Sequence, residues 1–119
     1  MEREVFIREF SLASEEIDEE RLNSVLLKSI EVNNESGKMR GLHNLIIVTE
    51  ELSELTKEVT KTIRGKGNSA DLLQEVADVA LCIRYLKEIC NISDESINKA
   101  INVKIDRLDE AMRETGSYR

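Results

Sequence analysis

The chain has 119 residues, no proline, 3% aromatic and 34% charged residues, and a formal net charge of −7. This composition favours one soluble, all-α domain with a modest aliphatic core. The negative charge argues against nucleic acid as a partner, and no apolar run reaches the roughly 18 residues that a membrane span needs.

Hydrophobic periodicity predicts an N-terminal arm followed by four helices. Residues 1–14 show only a weak alternation at Val5 and Ile7, so we predict an arm that caps a partner subunit or frays. The helices are predicted over the following ranges, with a loop at 33–41 and a short tail from Thr115: from Glu15 or Glu20 to Asn33, about 42–64, about 70–90, and about 94–114.

Turn and cap residues separate the last three of these helices. Gly65 and Gly67 are predicted to end the second helix, and Ser69 is predicted to cap the third. Asn91 is predicted to end the third helix and Ser93 to cap the fourth. Because the connection between the second and third helices is short, the two should be antiparallel neighbours. The fold predicted is an antiparallel bundle of about four helices.

Each central helix carries an apolar stripe that we predict to face the core. The stripes are Leu45, Val48, Leu52, Leu55, Val59 and Ile63 on the second helix, and Leu72, Val76, Val79, Ile83, Leu86 and Cys90 on the third. Cys82 and Cys90 lie eight residues apart on one helix, too far for a disulfide. Two reduced thiols, and an N-terminus without the layout of a signal peptide, indicate a cytoplasmic protein.

Five carboxylates stand out on the central helices. Glu50, Glu51 and Glu54 lie in "EELSE", opposite the apolar stripe, and Glu75 and Asp78 lie in "EVAD". Acids on helices are often merely solvated. The face of the third helix that carries Glu75 and Asp78, however, continues with apolar or weakly polar side chains, namely Cys82, Tyr85 and Ile89. We therefore predict that both acids are at least half buried.

Buried carboxylates need a nearby positive charge. No Lys or Arg lies four residues from both Glu75 and Asp78 on their helix face, so a bound cation is one source of that charge. Residues three apart reach one point, and the acids of the preceding helix can converge on it. Oxygen ligands without His or Cys favour Mg²⁺ or Mn²⁺.

The two acidic segments, separated by residues 55–74, resemble the EExxE…ExxD motif of the MazG-like nucleotide pyrophosphohydrolases, an all-α family. The resemblance covers roughly residues 42–112, so residues 1–119 are interpreted as a single MazG-like domain. It implies that Glu51, Glu54, Glu75 and Asp78 bind Mg²⁺. It also implies that Glu50 or Glu54 orients or deprotonates the water that attacks the α-phosphorus of a nucleoside triphosphate, releasing a nucleoside monophosphate and pyrophosphate.

The resemblance also implies phosphate-binding residues on the last helix. The candidates are Lys99, Asn102, Lys104 and Arg107, although Ile105 occupies the position where the family's usual K-x-x-N-x-x-R pattern has its final basic residue. At the start of the second helix, His43 and Asn44 are candidates for contact with a base or sugar, with packing or capping as the alternative.

Apolar residues outside the main stripes predict an oligomer. They are Ile46, Ile47, Leu73, Leu81 and Tyr85. The family resemblance implies a homodimer or homotetramer, with each site completed or bordered by a second subunit. Two further readings stay open: a dUTP/dCTP-type or phosphoribosyl-ATP hydrolase of the same superfamily, and a non-catalytic helical interaction module with a vestigial or structural metal site.

Overall fold

The computed structural model describes residues 1–116 and contains five α-helices and no strand in that range, which confirms the all-α class. The chain from Met1 to Ile89 forms one compact unit, and the chain from Cys90 onward forms a second. The helices are α1 (Arg3–Leu12), α2 (Glu19–Val32), α3 (Leu42–Ile63), α4 (Ser69–Ile89) and α5 (Asp94–Thr115). Residues 117–119 of the predicted tail lie outside the described residues. The single 1–119 domain stays a prediction.

The ends of the four longer helices follow the sequence prediction closely, with two corrections. Ser93 caps α5 by accepting a hydrogen bond from the N–H of Ser96. The side-chain oxygen of Asn68 accepts hydrogen bonds from the N–H groups at the start of α4, so the predicted cap at Ser69 is wrong by one residue. Gly65 takes the left-handed conformation after α3, with φ 71°, whereas Gly67 does not.

The N-terminal segment is a helix rather than the predicted arm. Arg3 of α1 donates two hydrogen bonds to the carboxylate of Asp71 on α4, at 3.0 and 2.6 Å. These bonds hold the pKa of Asp71 below its usual range. Phe6 and Phe10 stack along α1 with ring centroids 5.8 Å apart. Because the bidentate contact joins residues far apart in the sequence, local periodicity did not reveal it.

We expect the substitution Arg3→Ala to loosen α1 without unfolding the rest of the first unit. Removing the guanidinium takes away the bidentate anchor on Asp71, and a helix of ten residues is marginal without tertiary support. Hydrogen exchange should accelerate in α1 and stay unchanged in α3. Arg8→Ala, which alters an exposed position of the same helix, is the control. Equal protection of α1 in both variants would contradict the anchoring role.

The first unit has few fully buried side chains. Those that are apolar are Leu26, Ile30, Val48 and Cys82. Much of the predicted core stripe is exposed instead: Ile63 is 80% exposed, and Leu52, Val59, Val76 and Ile83 are also solvent-accessible. The prediction of these five residues as core is therefore wrong for the described chain.

The seam between α3 and α4 is formed by residues at alternating four- and three-residue spacing, and of the two predicted stripes only Val48 and Leu55 belong to it. On α3 it follows Asn44, Val48, Glu51, Leu55 and Glu58, and on α4 it follows Asp71, Glu75, Asp78, Cys82, Tyr85 and Ile89, all buried or half-buried. The acids thus lie along the packed faces of both helices. At one end of the seam, Gly41 has φ 79°, and a Cβ there would lie 2.6 Å from the side chain of Ile89.

A bidentate ion pair joins α2 to α4, where Arg84 donates to both oxygens of Glu19 at 2.9 and 3.0 Å. In the second unit, α5 has no buried residue. Throughout residues 1–116, every helix is too short or too polar to traverse a lipid bilayer.

Candidate metal centre

Three of the predicted acids converge on the α3–α4 seam. One carboxylate oxygen each from Glu51, Glu75 and Asp78 lies within 4.8 Å of the other two. All three side chains are half-buried, as predicted for Glu75 and Asp78. Antiparallel packing of α3 on α4 brings Glu51 opposite the Glu75–Asp78 pair, and the i, i+3 spacing of that pair places both on one face. We call these three residues the acidic triad.

The electrostatics of the acidic triad are unfavourable for three ionised carboxylates. Burial, followed by the charge of Asp78 and a hydrogen bond with its carboxylate, raises the pKa of Glu51. Burial and the charge of Asp78 likewise raise the pKa of Glu75, and the charge of the Met1 ammonium has a smaller, opposing effect. Within residues 1–116, no Lys or Arg forms an ion pair with any member of the triad. The repulsion is therefore relieved either by protonation or by a cation.

The residues of the acidic triad fit a small divalent cation. Two oxygens bound to one Mg²⁺ at about 2.1 Å lie at most about 4.2 Å apart, so the triad needs only a small contraction. Oxygen Oε2 of Glu75 is buried and accepts no hydrogen bond within the described structure. A buried carboxylate oxygen without a donor is costly, and coordination would remove that cost. Carboxylates alone suit Mg²⁺ or Mn²⁺.

The other two acids of "EELSE" lie outside the triad. Glu54 is exposed, but its charge contributes to the raised pKa of both Glu51 and Glu75, so it lies close to them. Glu50 is exposed and is absent from the causes of either shift. Of the two, Glu54 is better placed to act at the edge of the triad.

Glu58, which was not among the predicted site residues, is 8% exposed on the same face of α3. Its carboxylate accepts a hydrogen bond from Lys61 at 3.2 Å, and its charge adds to the raised pKa of Glu75. Glu58 continues the alternating four- and three-residue spacing of Glu51 and Leu55. This spacing marks the packed face of α3 and is the signal in the sequence that identifies Glu58.

The remaining candidates are distributed as follows. Asn44 is 1% exposed and donates to the Ser29 hydroxyl at 3.2 Å, so it packs between α3 and α2 and is not available to a base. His43 is exposed beside a shallow cavity of about 100 Å³ that includes Met39 and Ile46. Lys99, Asn102, Lys104 and Arg107 are all exposed on α5, and their role in phosphate binding stays a prediction.

The metal-free protein should lose stability as the pH rises past the ordinary glutamate pKa. Because the pKa values of Glu51 and Glu75 are raised in the folded protein, the folded state holds protons that the unfolded state has already released. It therefore binds more protons in this window, and the free energy of unfolding falls with pH until the raised pKa values are passed. Urea unfolding in EDTA across this range measures the slope.

A double variant, Glu51→Gln with Glu75→Gln, is the control for this pH dependence. It removes both titrating groups, so its slope over the same window should be shallower than that of the wild type. Parallel curves for the two proteins would mean that the many exposed acids, not the triad, set the pH dependence.

Comparison of the chain with protein-family models, with curated proteins and with solved structures finds no match. The geometry of the acidic triad and the motif in the sequence are therefore the grounds for assigning a function.

Proposed function

We propose that this protein is a Mg²⁺-dependent nucleoside triphosphate pyrophosphohydrolase of the MazG-like type. The observation that carries the proposal is the convergence of Glu51, Glu75 and Asp78 across the α3–α4 seam, half-buried and without an ion pair to Lys or Arg in the described residues. These three acids occupy positions of the motif to which the family resemblance assigns metal binding. A triphosphate is strongly anionic, so it approaches such a cluster only through cations.

In this proposal, Glu51, Glu75 and Asp78 hold the cation, and Glu54 joins them or acts beside them. Bound Mg²⁺ supplies neutralisation of charge on the phosphoryl oxygens and a lower pKa for a coordinated water. Glu54, exposed next to the triad, accepts a proton from the attacking water, with Glu50 as the other candidate base. The water oxygen bonds to the α-phosphorus, and the bond from that phosphorus to the bridging oxygen breaks, leaving the monophosphate and pyrophosphate.

Exposed apolar surface supports an oligomer as part of the proposal. The stripe residues that the chain leaves in solvent, such as Leu52, Val59 and Ile63, share a face of α3, and such a surface on a small chain is typical of an interface. We propose a homodimer or homotetramer. Sedimentation equilibrium and the dependence of the unfolding midpoint on protein concentration test this assembly, since a monomer has a midpoint that does not change with concentration.

The central experiment follows products from a panel of ribo- and deoxyribonucleoside triphosphates with Mg²⁺ or Mn²⁺, in water enriched in ¹⁸O. Attack at the α-phosphorus places the label in the monophosphate, whereas attack at the β-phosphorus places it in pyrophosphate. Release of orthophosphate, or label in pyrophosphate, would contradict the proposed reaction. A protein that binds Mn²⁺ but hydrolyses no member of the panel would instead support the non-catalytic module.

A further inference from the structure

A cavity of about 450 Å³ lies beside the acidic triad, bounded by α1, α3 and α4. Glu75 and Asp78 belong both to the triad and to the lining of this cavity. Phe6 contributes the wall from α1, and the Arg3–Asp71 contact fixes α1 in that position. A molecule bound in the cavity would therefore lie directly next to a cation held by the triad.

The size and lining of the cavity suit the base of a nucleotide. Pockets for small ligands commonly span about 300–1,000 Å³. Phe6 is an aromatic side chain in the lining, and aromatic rings can stack on any of the nucleobases. Gln74, which also lines the cavity, has an amide that can both donate to and accept from a base edge.

Met1 also lines the cavity, and its ammonium is a donor, but most of the polar side chains in the lining are hydrogen-bond acceptors. Glu58 and Asp71 join the two triad acids there, and ionised carboxylates only accept. Glu58 is nearly buried, so an unmatched group of a ligand facing it would cost binding energy. Cytosine and adenine present an exocyclic amino donor to such a wall, whereas uracil and thymine present a carbonyl oxygen at the equivalent position.

We propose that this cavity binds the base of the nucleoside triphosphate, with Phe6 packed against the ring. We further propose that the carboxylate lining selects cytosine and adenine over uracil and thymine. This inference rests on the proposed pyrophosphohydrolase function. In this proposal Glu58 determines base specificity and Phe6 contributes affinity by stacking, and both lie outside the motif that suggested the metal ligands.

The test pairs binding with turnover on the full chain. Binding is measured calorimetrically in Mn²⁺ with the non-hydrolysable α,β-methylene analogues of CTP and UTP, which differ at the amino position. Turnover is measured as kcat/KM for CTP and UTP. We expect the wild type to prefer the cytosine compounds about tenfold or more in both measurements, the range of one charge-assisted hydrogen bond.

The variants Phe6→Ala and Glu58→Gln separate stacking from base selection. Phe6→Ala should weaken both analogues about tenfold while keeping the preference, and Glu58→Gln should reduce the cytosine preference towards unity. Ile7→Ala, an exposed neighbour on α1 outside the cavity lining, should behave as wild type. Helicity and Mn²⁺ binding are measured for every variant, and Phe6→Leu replaces Phe6→Ala if the latter loses helical content.

Each outcome separates this inference from the proposed activity. Hydrolysis without base preference, or a Phe6→Ala or Phe6→Leu variant that matches Ile7→Ala, would overturn the cavity assignment and leave the hydrolase standing. Preferential binding of the cytosine analogue without hydrolysis would support the cavity and overturn the activity. Absence of both binding and hydrolysis would overturn both proposals.

Discussion

Asp78→Asn is expected to reduce nucleotide hydrolysis by roughly a thousandfold and to raise the thermal stability of the metal-free protein. Loss of one carboxylate ligand weakens the charge stabilisation that a metal ion contributes to phosphoryl transfer, an effect of several kcal/mol. The same change removes the negative charge that helps to raise the pKa of Glu51 and Glu75, so it relieves repulsion in the folded state. Steady-state kinetics and unfolding in EDTA measure the two effects.

Glu110→Gln is the matched control for this prediction. It removes one carboxylate from an exposed position of α5, so the net charge changes equally without touching the triad. The control should retain full activity and wild-type stability. If Glu110→Gln is stabilised as well, the higher stability of Asp78→Asn results from the change in net charge. If Asp78→Asn is destabilised, the repulsion inferred within the triad is contradicted.

Addition of Mg²⁺ or Mn²⁺ should raise the unfolding midpoint by about 10 °C or more. A ligand at about one hundred times its dissociation constant adds about 2.7 kcal/mol to the stability of the folded state. For a domain of roughly 60–100 residues, each kcal/mol shifts the midpoint by about 4–8 °C. The first unit, residues 1–89, falls within that size range. Differential scanning calorimetry in EDTA and in a metal series measures the shift.

Sodium chloride at matched ionic strength controls for general screening of a chain with net charge −7. The double variant Glu51→Gln with Asp78→Asn controls for the site, and it should show little response to either divalent ion. If sodium reproduces the shift, or if the double variant responds as the wild type does, then the triad is not the source of the stabilisation.

The long helices were predictable because their signals are local. Ser93 caps α5 as expected, and α3 begins and ends within a residue of its predicted range. The errors arose where a tertiary contact or a one-residue choice decides the structure. α1 depends on the distant Arg3–Asp71 contact, and Asn68 and Ser69 are both good caps, so propensity alone does not choose between them.

The burial of Glu75 and Asp78 was predicted better than the core around them. Context along α4 correctly indicated that Glu75 and Asp78 are half-buried, and the short turn correctly indicated that α3 packs against α4. The apolar stripes were assigned to the core because hydrophobic periodicity identifies an apolar face without saying which partner covers it. Glu58 was not predicted, because hydrophobic periodicity does not identify a charged residue as part of a packed face.

The two cysteines differ in a way that makes the protein convenient for spectroscopy. Cys82 is buried on the seam, and burial together with the nearby Glu51 and Asp78 charges raises the pKa of its thiol, whereas Cys90 is exposed. Because alkylating reagents attack accessible thiolates, a maleimide dye or spin label should modify Cys90 alone in the native protein. The natural chain therefore offers a single attachment point for fluorescence or electron paramagnetic resonance, without prior removal of either thiol.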